Sequence, residues 1–254
     1  MKASFKKVPA LEKGFAILAL LAKSSEPMGV SEIAKVLNYN KSTVYNIVHT
    51  LAEQKILENG SENKFRLGIQ FYLLGRSARL GSEIISTIHS YLEMINNETK
   101  LSAFLGTRSG LNAIIVDKVD SAFDIKISSE IGMRLPLLAG AGGKVLLSQL
   151  PDDELDKILS QNKLKKVTPF TCVDPVKFKK MIETVRAEGV AFDKEEYIEG
   201  IQALAVPIHI NSPTSQFAIW AAGLTTQIKN NAIERHGGYL KKIAEEIKLR
   251  LSDD

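Results

Sequence analysis

Apolar positions recur every three or four residues through the first hundred residues of the chain, and then the period changes. Leu11, Phe15, Leu18 and Leu21 share one side of a helix expected over residues 10–23, which the Pro27 stretch ends. Residues 31–37 read as a short amphipathic helix with Ser31 at its N-cap. Asn38, Tyr39 and Asn40 form a turn, and Asn40 is placed to cap the helix that follows. In residues 41–51, Val44, Ile47, Val48 and Leu51 fall on one face, while the other presents Lys41, Ser42, Thr43, Tyr45, Asn46 and His49. Residues 56–58 and 64–67 flank a turn containing Asn59-Gly60, the pattern of a hairpin. Helix, turn, helix and hairpin in this order make a winged helix-turn-helix, a DNA-binding plan.

Helical spacing resumes in residues 69–81, read as a linker helix. It continues over 82–97, where Ile84, Ile85, Ile88, Tyr91, Leu92 and Ile95 make one stripe. That stripe suits packing on a second copy or on the chain's own C-terminal domain. From residue 101 the pattern turns β-like, with strands expected at 102–106, 112–119, 124–128, 203–208 and 217–224. Helices are expected at 142–147, 152–159, 174–189 and along the Ile233, Leu240, Ile243, Ile247 and Leu251 stripe. The fold class is therefore α+β: a winged helix-turn-helix domain at 1–68, the linker helix at 69–81, and an α/β domain with a mostly antiparallel sheet at 82–254.

Charge supports the same division. Residues 1–80 hold 12 Lys/Arg against 6 Asp/Glu, and the remainder holds 21 against 23. A basic module joined to a near-neutral one is the electrostatic footprint of a DNA-binding domain with a regulatory partner. At 44% hydrophobic and 24% charged, the chain has the composition of a globular protein. No apolar run approaches a membrane span and no signal-peptide core follows the N-terminal lysines, so a cytoplasmic location is expected.

The candidate chemistry is that of recognition. Asn46 can make paired hydrogen bonds to adenine in the major groove. Lys41, Ser42 and Thr43 stand at a helix start, where phosphate binds well. Tyr45 and His49 can reach bases or phosphates, and Lys64 and Arg66 on the wing can meet the backbone or minor groove. Gly140-Ala141-Gly142-Gly143-Lys144 fails as a nucleotide-binding loop, because Leu138 stands where the first glycine belongs and Val145 follows the lysine. Asp193, Glu195 and Glu196 form an acidic cluster that suits a solvated loop or a pocket edge. His49, His89, His209 and His236 show no metal-ligand spacing, and His89 is expected to pack beside the apolar stripe. The single cysteine, Cys172, excludes an internal disulfide and has no catalytic partner in sequence. Neither a catalytic site, a cofactor nor a metal is expected.

Several segments together resemble IclR-type bacterial transcriptional regulators. They are the run from Val8-Pro9-Ala10-Leu11 to Leu18, Ser31-Glu32-Ile33-Ala34, Lys41-Ser42-Thr43-Val44 and Phe65-Arg66-Leu67-Gly68. The second domain adds Arg134-Leu135-Pro136, Gly143-Lys144, Asp193-Lys194-Glu195-Glu196, Glu199-Gly200-Ile201 and Ala205-Val206-Pro207-Ile208. The resemblance covers about residues 8–252. It implies a GAF-like effector-binding domain, a homodimer or tetramer, a double-stranded DNA operator and a small-molecule effector. It places Gly132, Met133, Leu138, Gly140, Ala141, Asp193, Ala203, Trp220 and Ala222 at the effector pocket. The chain departs from the family's habit at several of these. Leu138 and Gly140 stand where histidine and threonine are frequent, Ala203 where cysteine is frequent, and Trp220 and Ala222 where small hydroxyl residues are common. These departures imply a pocket more apolar than usual, taking a bulkier aromatic or aliphatic acid, or one that Trp220 fills. Two other readings stand beside this one: a ligand-independent oligomeric DNA-binding regulator with a closed pocket, and a small-molecule enzyme with an appended basic domain, which would need a nucleophile–base pair.

Overall fold

The computed structural model describes residues 8–60, 63–80, 83–127, 129–209, 216–228 and 232–251. The chain divides into two compact units, Met1–Ser82 and Glu83–Asp254.

In the first unit, α1 (Pro9–Leu21), α2 (Val30–Leu37) and α3 (Lys41–Glu53) surround a core of Ile17, Leu18, Leu21, Ile33, Val44, Val48, Leu57 and Phe65. The expected inward line of α1 is corrected: Leu11 and Phe15 are 61% and 69% exposed. The helix approaches the core through Gly14, which lies against Ile47, and buries Ile17, Leu18 and Leu21 instead. The start of α2 is also corrected. Its N-cap is Gly29 rather than Ser31, because the Glu32 carboxylate reaches back to accept the Gly29 N–H at 2.7 Å. The turn matches expectation, with Asn38 left-handed (φ 54°) and the Tyr39 N–H donating to the Ala34 carbonyl. Asn40 is the N-cap of α3 through its backbone carbonyl, which accepts the Val44 N–H, while its side chain makes no capping bond.

The wing is β2 (Leu57–Asn59) and β3 (Lys64–Leu67), antiparallel, with Glu58 opposite Arg66. Its expected turn includes Ser61 and Glu62, which lie outside the described residues. A short strand not anticipated from sequence, β1 (Met28–Gly29), adds to the other edge of β3. α4 (Ile69–Leu80) follows at once. It is anchored by Gly68 N–H to Ile56 carbonyl and by Ile69 N–H to the Glu58 carboxylate.

The second unit is built on a six-stranded antiparallel sheet. In chain order the strands are β4 (Ser102–Ser109), β5 (Asn112–Val119), β6 (Arg134–Pro136), β7 (Ala191–Lys194), β8 (Ile201–Ile208) and β9 (Phe217–Leu224). In space the order is β6-β5-β4-β9-β8-β7. Alternation along the strands sorts side chains to two faces. Ala103, Leu105, Leu204, Val206, Ile219 and Ala221 pack against α5 (Glu83–Thr99) and α9 (Ala232–Arg250). Phe104, Ala113, Ala203, Ala205, Ala218, Trp220 and Ala222 face α6 (Gly140–Ser148), α7 (Asp152–Gln161) and α8 (Pro175–Glu188). The α5 stripe of Ile88, Tyr91, Leu92 and Ile95 thus packs on its own sheet. α8 starts and stops as expected: Asp174 accepts the Val176 and Lys177 N–H groups, and left-handed Gly189 ends it.

The strand expected at 124–128 is not formed by residues 124–127, and Ser128 lies outside the described residues. The place beside β5 belongs to β6, with Ala113 opposite Leu135. Residues 124–127 instead form a loop tied by the Gln227 amide to the Ile125 carbonyl. His89 does more than pack. Its Nδ1 lies 2.7 Å from the buried carboxylate of Asp117 on β5.

Candidate functional sites

The first site is the outer face of α3 with the wing. Val44 and Val48 fix the helix by full burial, which leaves Lys41, Ser42, Tyr45 and Asn46 exposed and Thr43 and His49 half-buried. The Thr50 hydroxyl donates to the Asn46 carbonyl at 2.8 Å, closing the backbone of that turn. Tyr45 and His49 lie against each other with ring centres 4.2 Å apart and planes tilted by 47°, and His49 meets Phe65 of β3 edge-on at 5.4 Å. His49 therefore joins the helix to the wing. Lys64 sits half-buried on β3. Arg66 is engaged: its Nε and Nη2 both donate to one oxygen of Glu58, at 3.1 and 2.9 Å, and the other oxygen takes the Ile69 N–H. The cation expected for a phosphate is, in this structure, a brace between the wing and the start of α4.

The second site is a cavity of about 330 Å³ between the alanine-rich face of the sheet and the N-terminus of α6. Small residues at 113, 203 and 222 leave the space, and the glycines and alanine at the start of α6 form the opposite wall. Gly140 is left-handed (φ 77°), and a Cβ there would stand 3.3 Å from Asp193 Oδ2. Ala139, the N-cap of α6, gives no side-chain hydrogen bond to its first turn, and residues 139–143 line the cavity, so backbone donors are available at this wall.

Of the residues assigned by resemblance, Met133, Gly140, Ala141, Asp193, Ala203, Trp220 and Ala222 line the cavity. Gly132 and Leu138 are not among its walls. Gly132 is exposed in the turn before β6, and Leu138 packs into the core beside α6. Trp220 does not fill the space. Its ring stacks on Phe104, directly across the β4–β9 ladder, with centroids 5.7 Å apart and planes 21° from parallel. Gly106 and Gly142 make room for the indole, since a Cβ at either would press on the ring at 2.3 and 3.1 Å.

The acidic cluster is not a solvated loop. Asp193 is 4% exposed, and its Oδ1 accepts the Glu196 N–H at 2.7 Å. Burial, reinforced by the Glu196 charge, pushes its carboxyl up to about 6, despite the Glu196 and Tyr197 N–H groups and the Lys144 charge that favour ionisation. Glu196 is a hub. Its carbonyl accepts the hydroxyls of Thr168 and Thr171, and its carboxylate receives Lys144 Nζ at 2.6 and 2.8 Å. Lys144, 2% exposed, gives a further bond to the Phe192 carbonyl at 2.6 Å.

Sequence reasoning missed Lys144–Glu196 as a pair and Tyr197, Ile198, Phe104 and Ser129 as walls. The available signal was the Asp193/Glu196 spacing together with a lysine that follows the five small residues 139–143. Among the described residues, no group of His, Cys, Asp and Glu is arranged to hold a metal ion. No described helix is long and apolar enough to cross a membrane.

Known proteins are similar to this chain over both of its units. Residues 10–60 match the IclR helix-turn-helix domain model, and residues 79–249 match that of the bacterial transcriptional regulator IclR C-terminal domain. The transcriptional repressor IclR of Escherichia coli is 26% identical over 245 residues, covering 95% of this chain and 89% of the relative. The crystal structure of Thermotoga maritima IclR is 29% identical, with a TM-score of 0.68 over 96% of this chain and 98% of that one. An IclR homolog from Microbacterium hydrocarbonoxydans, solved in complex with 4-hydroxybenzoate, shares the fold with a TM-score of 0.78. It is 20% identical and covers 96% of this chain and 100% of its own.

Proposed function

The chain belongs to the IclR family of bacterial transcriptional regulators, and from that premise we propose that a small organic acid held in its cavity sets its affinity for an operator. It is a DNA-binding regulator with a C-terminal effector-binding domain, not an enzyme. The observation that carries the acid reading is the uncapped N-terminus of α6, opening into a cavity otherwise walled mostly by apolar side chains. Backbone N–H groups there suit a carboxylate, and the Trp220–Phe104 wall suits an apolar or aromatic body. Binding of 4-hydroxybenzoate by a protein of the same fold is consistent with a ligand of that size.

At the other end, Lys41 and Ser42 hold phosphate at the start of α3, and Asn46 and Tyr45 face base edges. The protein works in the cytoplasm as a homodimer, which can pair further into a tetramer. The argument for association is surface: Ile69, Phe71, Tyr72, Leu73 and Leu74 on α4 are all between 40% and 63% exposed, an apolar concentration unusual on a monomer. Two α3 helices on one face of DNA then read a two-fold site.

The test is operator binding by the full chain, with the site found by selection from genomic fragments. Asn46→Ala should cost roughly 1–3 kcal/mol at one base position, and Lys41→Ala should weaken all sequences alike and lower the salt dependence. Unchanged binding by the double variant would remove this face from the interface.

A further inference from the structure

Asp193 is the one carboxyl among the described cavity walls, and its Oδ2 lies 3.3 Å from where a Cβ on Gly140 would stand, at the start of α6. The groups that face it decide its charge. From α6, Lys144 has three ammonium protons and makes three bonds, to both Glu196 oxygens and to the Phe192 carbonyl. It has none left for Asp193, and its charge is matched by Glu196. From the loop after β7 come the Glu196 N–H, the Glu196 carboxylate and Tyr197. From β8 the neighbour is Ala203, which contributes no charge. Lys126, on the loop before β6, also lines the cavity and lies 3.8 Å from Asp120. Asp193 is thus a buried acid without a dedicated cation.

We propose that acid binding in this cavity is proton-coupled: the effector enters as a carboxylate anion, and Asp193 takes up one proton and donates it to that anion in a hydrogen bond. This rests on the reading of the cavity as an acid site and adds what sets its selectivity. Two carboxylates in hydrogen-bonding contact do not both stay ionised, so they share one proton. One anion and one proton bind together, and the O–H bond formed on Asp193 is matched by the one broken in the buffer acid that supplies the proton. Burial already pushes the Asp193 carboxyl up to about 6, in the direction that favours taking up a proton. The site therefore excludes ligands that present a second negative charge toward Asp193, and it favours monoacids.

The experiment is isothermal titration calorimetry of the full chain with benzoate and with hexanoate, between about pH 6 and pH 9, in phosphate and in Tris. The expected result is an affinity that falls about tenfold per pH unit above the Asp193 midpoint. The measured enthalpies should differ between buffers by the amount that uptake of about one proton requires. Asp193→Asn, whose amide N–H replaces the acid proton, should bind at high pH with a flat profile and no uptake. Acid binding by the wild-type chain with no pH slope and no proton uptake would overturn the proposal while leaving the acid site standing. If neither acid binds the wild-type chain or the variant at any pH, the acid reading falls and the proposal with it. The proton count on the wild-type chain decides the matter even if the variant does not fold.

Discussion

Lys144 spends every proton it has inside the protein. Its ammonium joins α6 to the loop after β7 through Glu196 and Phe192, and Glu196 in turn holds Thr168 and Thr171. A pair this dry is costly to break on one side. Lys144→Met should lower stability by roughly 3–5 kcal/mol, because Glu196 is left charged and buried. Adding Glu196→Gln should recover much of that loss. Urea unfolding followed by circular dichroism checks both, and equal losses in the single and double variants would show that packing, not charge, is at stake. This pair was invisible in the sequence because its members lie 52 positions apart and meet only through the fold. Asp193 was legible as a pocket residue by resemblance, but its burial depends on the β7–β8 register, which four residues of β7 are too few to announce.

Elements long enough to repeat their pattern were readable. The nine helices of the described residues fall where helical segments were expected, with the buried line of α1 shifted by a few residues. Short elements were not: β1 and β6 contribute two and three residues, and alternation needs more than that to stand out. The 124–128 segment alternates convincingly, yet β6 wins the sheet edge beside β5. α4 is legible in another way, since its apolar residues find no core. Replacing Tyr72 and Leu74, 63% and 52% exposed, by aspartate should convert the proposed dimer to monomer without unfolding the helix-turn-helix core, which they do not enter. Sedimentation at micromolar concentration measures this, and a variant that stays dimeric would move the interface elsewhere.

For the molecule as a whole, the separation of charge is the leading property. The basic first 80 residues and the slightly acidic remainder confine attraction for DNA to one unit, so operator affinity should be strongly salt-dependent. Regulation then demands a coupling free energy between cavity and helix-turn-helix, and such coupling is reciprocal. An acid that weakens operator binding by some factor, typically about 5–150-fold, should itself bind the operator complex more weakly by that factor. Competition assays run in both directions test the equality, and unequal factors would mean that the acid acts at a second place. One feature of the cavity wall makes the natural effector easier to find. The chain contains a single tryptophan, and Trp220 lines the cavity. Indole fluorescence from the unlabelled protein therefore originates at one spot, so a metabolite library can be screened by its emission before any target gene is known.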